Sequence, residues 1–352
     1  MSSDRFHPSM RRWQPRLVGL AVVPLLLAAC SSASTTSAPA SSATSAPAAA
    51  GAKTAGSVTV GLITKTETNP FFVKMKEGAD KEAAAKGAKL VSAAGKFDGD
   101  NAGQVTAIEN MVTAGVKGIL ITPSDTKAIV PSIKKARDAG VLVIALDTPT
   151  EPQDGTDALF ATDNKKAGIL IGQYAKAAAG GKPMKIATLD LAPGISVGVL
   201  RHDGFIEGFG ITNTDPQVVC SQDTQGDQAK GQAAMETCLQ KDPSINLVYT
   251  INEPAAMGAN TALKAAGKVA TIVSVDGGCA GVRAVKDGTI AATSQQYPLK
   301  MAVQGVDAVV EFAQSGKKAS GYTDTGVTLI TDKPQAGVDS KDTAFGLDNC
   351  WG

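Results

Sequence analysis

Nearly every apolar, β-like run in this chain ends in an acid, an amide or another polar residue, just where a helix is due to begin. Val58–Ile63 runs into Thr64-Lys65-Thr66-Glu67-Thr68-Asn69-Pro70, and Gly118–Ile121 into Thr122-Pro123-Ser124-Asp125. Val141–Leu146 ends in Asp147, Ile186–Leu189 in Asp190, Leu247–Ile251 in Asn252-Glu253, and Ile272–Val275 in Asp276. The runs show no polar alternation, as expected of strands covered on both faces. Strand and helix repeating at this spacing build parallel sheets with right-handed crossovers. Such sheets bind ligands in the crevice beyond the carboxyl ends of their strands. Asn, Asp, Glu and Gln at those ends, with almost no histidine, suit a surface that holds a polyol rather than one that converts it.

Strands are expected over 57–64, 88–93, 117–122, 141–147, 158–162, 184–190, 216–221, 246–252, 270–276, 290–295 and 325–330, with helices between most of them. The first helix has the plainest signals. Asn69 can cap it and Pro70 suits its first position, while Phe72, Met75, Ala79 and Ala83 recur at helical spacing and Gly87 can end it.

The first thirty residues carry a different message. Arg11, Arg12 and Arg16 precede the apolar run Leu17–Ala29, which closes on Leu27-Ala28-Ala29-Cys30. A positive start, a short apolar core and small residues before the cut describe an export signal over 1–29. The run is shorter than the roughly 20 apolar residues of a membrane span. The Leu-Ala-Ala-Cys ending resembles a bacterial lipobox, which makes Cys30 the acylated first residue of the mature chain; an ordinary signal with an incidental cysteine is the alternative. Two acyl chains hold a protein to a membrane far better than one. Residues 30–56 are almost entirely Ser, Ala, Thr, Pro and Gly, a composition expected to form a disordered tether. The folded part then spans 57–352, enough for two α/β lobes.

The formal charge is +1. With four arginines and one acid removed in 1–29, the mature chain is near −2. No basic patch exists, which argues against nucleic acid as a partner. Four cysteines remain beyond Cys30. An even number in an exported chain suggests two disulfides, with three connectivities open. The favoured pairs are Cys220–Cys238 and Cys279–Cys350, because Cys220 ends a strand and Cys238 sits on the helix that packs back beside it; four free thiols are the alternative. There is no Walker A motif, no His-Glu-x-x-His and no Gly-x-Gly-x-x-Gly after the first strand, and the only histidines are His7 and His202. No metal, no cofactor and no enzymatic step is expected.

Val60-Gly61-Leu62-Ile63 followed by Asn69-Pro70-Phe71-Phe72 resembles the opening of the ribose-type periplasmic sugar-binding proteins. Further matches follow in order: Ala145-Leu146-Asp147, Arg201-His202-Asp203-Gly204-Phe205, Asn252-Glu253 with Ala255–Ala259, Val275-Asp276-Gly277, and Ala292–Pro298. The likeness covers nearly all of 57–352. The Ile63–Pro70 stretch and the Asp348-Asn349-Cys350-Trp351-Gly352 terminus look more like the fructose-binding branch.

The resemblance implies two doubly wound parallel-sheet lobes joined by three hinge crossings, near Ala161–Asn164, Thr293–Gln296 and Thr323–Val327. The N-lobe is expected to hold 57–161 and 297–322, and the C-lobe 163–293 and 327–352. It also implies sugar contacts from Asn69, Phe71, Phe72, Asp147, Arg201, Asn252, Asp276 and Gln296. Aromatic faces suit the C–H faces of a sugar, and amide, carboxylate and guanidinium groups suit its hydroxyls. The bland alternatives are core packing for the phenylalanines, helix or turn caps for the asparagines, aspartates and Gln296, and a surface helix position for Arg201. Thr148 and Pro149 follow Asp147 where the ribose binders have an arginine, which leaves space for a larger or different sugar. The family's C-lobe stacking aromatic falls near Gly226 and is missing. Lys65 and Glu67 are further candidates, with solvated loop charges as the alternative.

These readings describe a monomeric, lipid-anchored, extracytoplasmic solute-binding protein that captures a monosaccharide, fructose-like or ribose-like, and delivers it to an ABC permease. A sugar sensor serving a membrane receptor is the alternative, and a doubly wound oxidoreductase a more distant one.

Overall fold

The computed structural model describes residues 58–352. The export signal, Cys30 and the Ser/Ala/Thr/Pro tether lie outside the described residues. Twelve strands and ten α-helices alternate through the described part. The first sheet is built from β1 (Thr59–Thr64), β2 (Lys89–Ala94), β3 (Gly118–Ile121), β4 (Leu142–Leu146), β5 (Ala158–Ala161) and a late strand, β11 (Gly321–Asp324). Its order is β11-β5-β4-β3-β1-β2 and every pairing is parallel. The second sheet has β6 (Ile186–Asp190), β7 (Val218–Asp223), β8 (Leu247–Thr250), β9 (Thr271–Asp276), β10 (Ala292–Gln295) and β12 (Thr328–Ile330), in the order β12-β10-β9-β8-β6-β7. Only β12 runs antiparallel to its neighbour. The fold is thus the doubly wound α/β arrangement expected from the strand–helix alternation.

The helices over the first sheet are α1 (Pro70–Ala85), α2 (Asn101–Thr113), α3 (Val130–Asp138) and α9 (Pro298–Ser315). The others are α4 (Asn164–Ala179), α5 (Ser196–Phe209), α6 (Gln228–Lys241), α7 (Glu253–Ala265), α8 (Cys279–Lys286) and α10 (Thr343–Asn349). The chain passes from the first sheet to the second through 162–163, returns through 296–297, and passes again through 325–327. Of the strand expected over 325–330 only Thr328–Ile330 forms, as β12, and a strand that was not expected, β11, lies just before that range. β11 completes the first sheet beside β5, Gly326 turns the chain with a φ of 97°, and β12 joins the second sheet. Residues 325–327 form no strand because they carry the chain from one sheet to the other.

Both disulfides are formed. Cys220–Cys238 ties β7 to α6, and Cys279–Cys350 ties the start of α8 to the end of the chain. The second bond holds Trp351 in a β-bridge with Gly278.

The pairing of α4 with α5 positions the site. Their backbones touch because glycine faces glycine: a Cβ on Gly168 would lie 2.2 Å from the Arg201 carbonyl oxygen, and one on Gly204 would lie 2.2 Å from that of Lys165. No side chain can move aside to relieve a clash with backbone. Gly168→Ala is therefore expected to cost about 3 kcal/mol, the upper end for an overpacked interior, and to push Arg201 out of register. Thermal melting alongside sugar titration checks both effects.

Candidate binding site between the two sheets

The loops at the carboxyl ends of both sheets line one cavity. Its walls are Lys65, Asn69, Phe71, Phe72, Asp98 and Asp147 from the first sheet's side, and Leu191, Val197, Arg201, Ile251, Asn252, Asp276 and Gln296 from the second's and the crossing. The eight residues singled out from the sequence all lie here, together with Lys65. Glu67 does not: it is exposed and lies on the loop before Asn69. The cavity opens into a wider cleft of about 600 Å³, whose rim includes Thr66, Phe97, Gln225, Lys230 and Met257.

Arg201 is the hub. It is carried by α5 and 4% exposed. Its Nε donates to Asn164 Oδ1 at 2.7 Å and its Nη1 to the Ile251 carbonyl at 3.1 Å. Nη2 donates to Asp147 Oδ1 at 3.3 Å and to Gln296 Oε1 at 3.2 Å. Asp276 Oδ1 lies 4.0 Å from Nη1. One guanidinium therefore meets a carboxylate from the end of β4 and another from the end of β9. Its planar fork of donors suits it to that bridging task in a way a lysine would not match.

Backbone strain marks the same two aspartates. Among the described residues only three non-glycine residues have positive φ: Asp147 at 61°, Gln225 at 49° and Asp276 at 148°. All three line the cleft. Strained conformations of this kind persist where surrounding structure over-determines them, and they cluster at ligand sites. Asp276 is further fixed by Gln296 Nε2 at 2.9 Å and by the Glu253 backbone N–H at 3.3 Å. Burial pushes its carboxyl up, to about 6. Glu253, also buried, is pushed up to about 8 by burial and by the charge of Asp276. The Gly277 and Gly278 N–H groups and the Thr293 hydroxyl donate to its two oxygens.

The asparagines have structural duties as well as a place in the wall. Asn69 caps α1, its Oδ1 accepting from Phe71 N at 3.0 Å. Asn252 caps α7 through Ala255 N and donates to the Gly226 carbonyl at 2.9 Å. That last contact explains the missing aromatic. At a φ of 61°, a Cβ on Gly226 would lie 2.7 Å from Asn252 Nδ2. Leu191 and Val197 provide the apolar surface on this side instead. Opposite them, Phe71 and Phe72 meet edge to face at 5.5 Å, and Trp351 packs edge to face on Phe71 at 5.4 Å. Trp351 Nε1 donates to the Gln296 carbonyl at 2.9 Å, so the disulfide-tied end of the chain braces both an aromatic wall and a crossing.

Asn164, Asp98, Leu191, Val197 and Glu253 were not singled out from the sequence. Asn164 opens α4 directly after the first crossing, where its Nδ2 donates to the Asp147 and Thr162 carbonyls while its Oδ1 holds Arg201. His202, the one histidine among the described residues, bonds Asp190 and Asn213 rather than facing the cavity. Among the described residues no group of three or more His, Cys, Asp or Glu is placed to hold a metal.

Residues 60–318 match the periplasmic binding protein domain family, and the chain belongs to that family, in its ribose-type branch. The ribose import binding protein of Bacillus subtilis is 33% identical over 276 residues, which span 78% of this chain and 87% of that protein. Among solved structures, an ABC transporter solute-binding protein of Mycobacterium smegmatis with bound glycerol has a TM-score of 0.73 at 27% identity, covering 82% of this chain and 96% of that one. A counterpart from Agrobacterium vitis with bound D-fucose has a TM-score of 0.71 at 29% identity, covering 80% and 100%. The relatives are transport proteins that bind a solute, in keeping with the expectation of no chemical step.

Proposed function

We propose that this chain captures a neutral monosaccharide between its lobes and delivers it to an ABC importer. The observation that carries this reading is the pair of strained, buried aspartates, one beyond each sheet, that share Arg201 in a single cavity. Aspartate oxygens accept from hydroxyls and guanidinium N–H groups donate to them, and the two phenylalanine rings suit the apolar face of a sugar ring. The ribose named for the B. subtilis relative and the D-fucose held by the A. vitis protein support the same ligand class. The two lobes, 57–161 with 297–322 and 163–293 with 327–352, close about the three crossings as a hinge, and the importer reads the closed form. The protein works as a monomer.

A ketohexose such as D-fructose is the preferred sugar over D-ribose. Thr148 supports this reading. It is small and fully buried, and its hydroxyl donates to Asp147 Oδ2 at 2.8 Å, where the ribose binders carry a long arginine side chain. A thermal-shift screen against pentoses, hexoses and polyols tests this, because a ligand that binds only the native state raises the melting temperature. Fructose is expected to raise it more than ribose does; ribose raising it more would overturn the sugar preference and leave the class standing.

Acyl chains on Cys30 hold the protein at the outer face of the cell membrane. Cys30→Ala is expected to move it from the membrane fraction to the soluble one with unchanged sugar affinity. Retention of the variant on membranes would contradict the anchor.

A further inference from the structure

The last residues of a chain are usually among its least ordered, unless something ties them down. Here the end of the chain is tied down from several sides. The Cys279–Cys350 bond fixes it to the start of α8. The Cys279 N–H donates to the Trp351 carbonyl at 2.9 Å, and Trp351 Nε1 donates to the Gln296 carbonyl at 2.9 Å. The indole is 5% exposed and lies in the core of the first sheet, edge to face on Phe71 at 5.4 Å. A residue tethered on the second sheet's side is thus packed into the first sheet's core. Gly278 makes room for it: a Cβ there would lie 3.3 Å from the indole ring.

The groups that Trp351 touches either line the cavity or hold its wall. Phe71 and Gln296 line it, and the Gln296 side chain bonds both Arg201 and Asp276. Gly278, in a β-bridge with Trp351, ends the turn that begins at the strained Asp276, and its N–H donates to Glu253 Oε2 at 3.1 Å. Gln295 Nε2 joins that turn to α10, donating to the Gly277 carbonyl at 3.0 Å and the Gly346 carbonyl at 2.9 Å. The Cys220–Cys238 bond, by contrast, lies in the core between β7 and α6, and neither of its cysteines lines the cavity or the cleft.

We infer that Trp351 is a positioning residue for sugar binding, and that the Cys279–Cys350 bond sets sugar affinity through it, whereas Cys220–Cys238 serves stability alone. This inference rests on the proposed sugar-binding function. Trp351 is not in the wall of the inner cavity; it acts through Phe71 and Gln296. A site already held in its bound geometry has less freedom to lose when the ligand arrives. A disulfide that only restricts the unfolded chain raises stability and leaves the affinity of the folded protein unchanged. The roles of the two bonds are therefore separable by measuring affinity and melting together.

Wild type, Trp351→Ala, Trp351→Phe, Cys279→Ser/Cys350→Ser and Cys220→Ser/Cys238→Ser are melted. Each is then titrated calorimetrically, at a temperature where it is folded, with D-fructose, D-allose, D-galactose and D-ribose. Trp351→Ala and the Cys279/Cys350 variant are expected to bind the wild type's best sugar at least tenfold more weakly. Trp351→Phe keeps a ring against Phe71 but lacks the N–H donor, and is expected to fall between wild type and Trp351→Ala. The Cys220/Cys238 variant is expected to melt lower and to keep the wild type's affinity. A loss smaller than tenfold in Trp351→Ala overturns the inference, and so do equal losses in the two disulfide variants. If either serine pair fails to fold, the two Trp351 variants decide it: an intermediate affinity in Trp351→Phe supports the positioning role, and one no better than that of Trp351→Ala overturns it. A wild type that binds none of the four sugars removes the proposed function itself, which is a separate and recognisable result.

Discussion

Asp276→Ala is expected to bind sugar roughly ten- to a hundredfold more weakly than wild type, while still unfolding in a cooperative transition. A hydrogen bond to a charged group contributes about 1.5–3 kcal/mol, and every 1.4 kcal/mol is about tenfold in affinity. The fold survives because two effects of the substitution oppose each other. Gln296 Nε2 and the Glu253 N–H lose an acceptor, but Glu253 is relieved of a neighbouring negative charge in a buried place. Asp147→Ala is expected to weaken binding by a similar factor from the other side of the cavity. If both aspartates only shape turns, the variants will lose about 1 kcal/mol of stability and keep their affinity. Calorimetric titration and thermal melting of each variant beside wild type separate the two cases.

Arg201→Ala is expected to be more damaging, because it costs stability as well as binding. The guanidinium satisfies Asn164, the Ile251 carbonyl, Asp147 and Gln296 at once, and all of these groups are buried. Removing it leaves Asp147 and Asp276 near each other with no cation between them. Breaking a buried pair from one side costs about 3–5 kcal/mol, which lowers the melting temperature by on the order of 10 °C. Sugar affinity should fall by at least a hundredfold. Arg201→Lys restores the charge but not the fork, so it is expected to regain part of the stability and little of the affinity. An Arg201→Ala protein that melts with wild type would show that the hub is dispensable.

Much of this was legible in the chain itself, for a physical reason. A parallel sheet buried on both faces needs unbroken apolar runs, and its ligand side needs polar ends, so both the strands and the corners leave a signature. Asp147, Asn252 and Asp276 could be placed because each directly follows such a run. The crossings and the missing C-lobe aromatic were read through the family likeness. Other parts left no local signal. Asp98 lies in the bend between β2 and α2, where Asp98-Gly99-Asp100 looks like any capping turn, and it is Asp100 that caps α2. Asn164 looks like an ordinary first residue of a helix, because its partners Asp147 and Arg201 are distant in sequence. The loss of an aromatic at Gly226 was visible; its cause, the close approach of Asn252, was not. β11 left no signal because Gly321–Asp324 is short and largely exposed with no apolar run, and it forms only because β5 offers it an edge.

The central claim is that a sugar is gripped from both lobes at once, by Asp147 on one side and Asp276 on the other. It is tested most directly by a crystal structure of the protein with whichever of D-fructose, D-allose, D-galactose or D-ribose raises its melting temperature most. The expected result is one sugar in the inner cavity, with hydroxyls within hydrogen-bonding distance of both aspartates and of Arg201, and its ring against Phe71 or Phe72. A sugar bound by one lobe alone, or anywhere outside this cavity, would contradict the account.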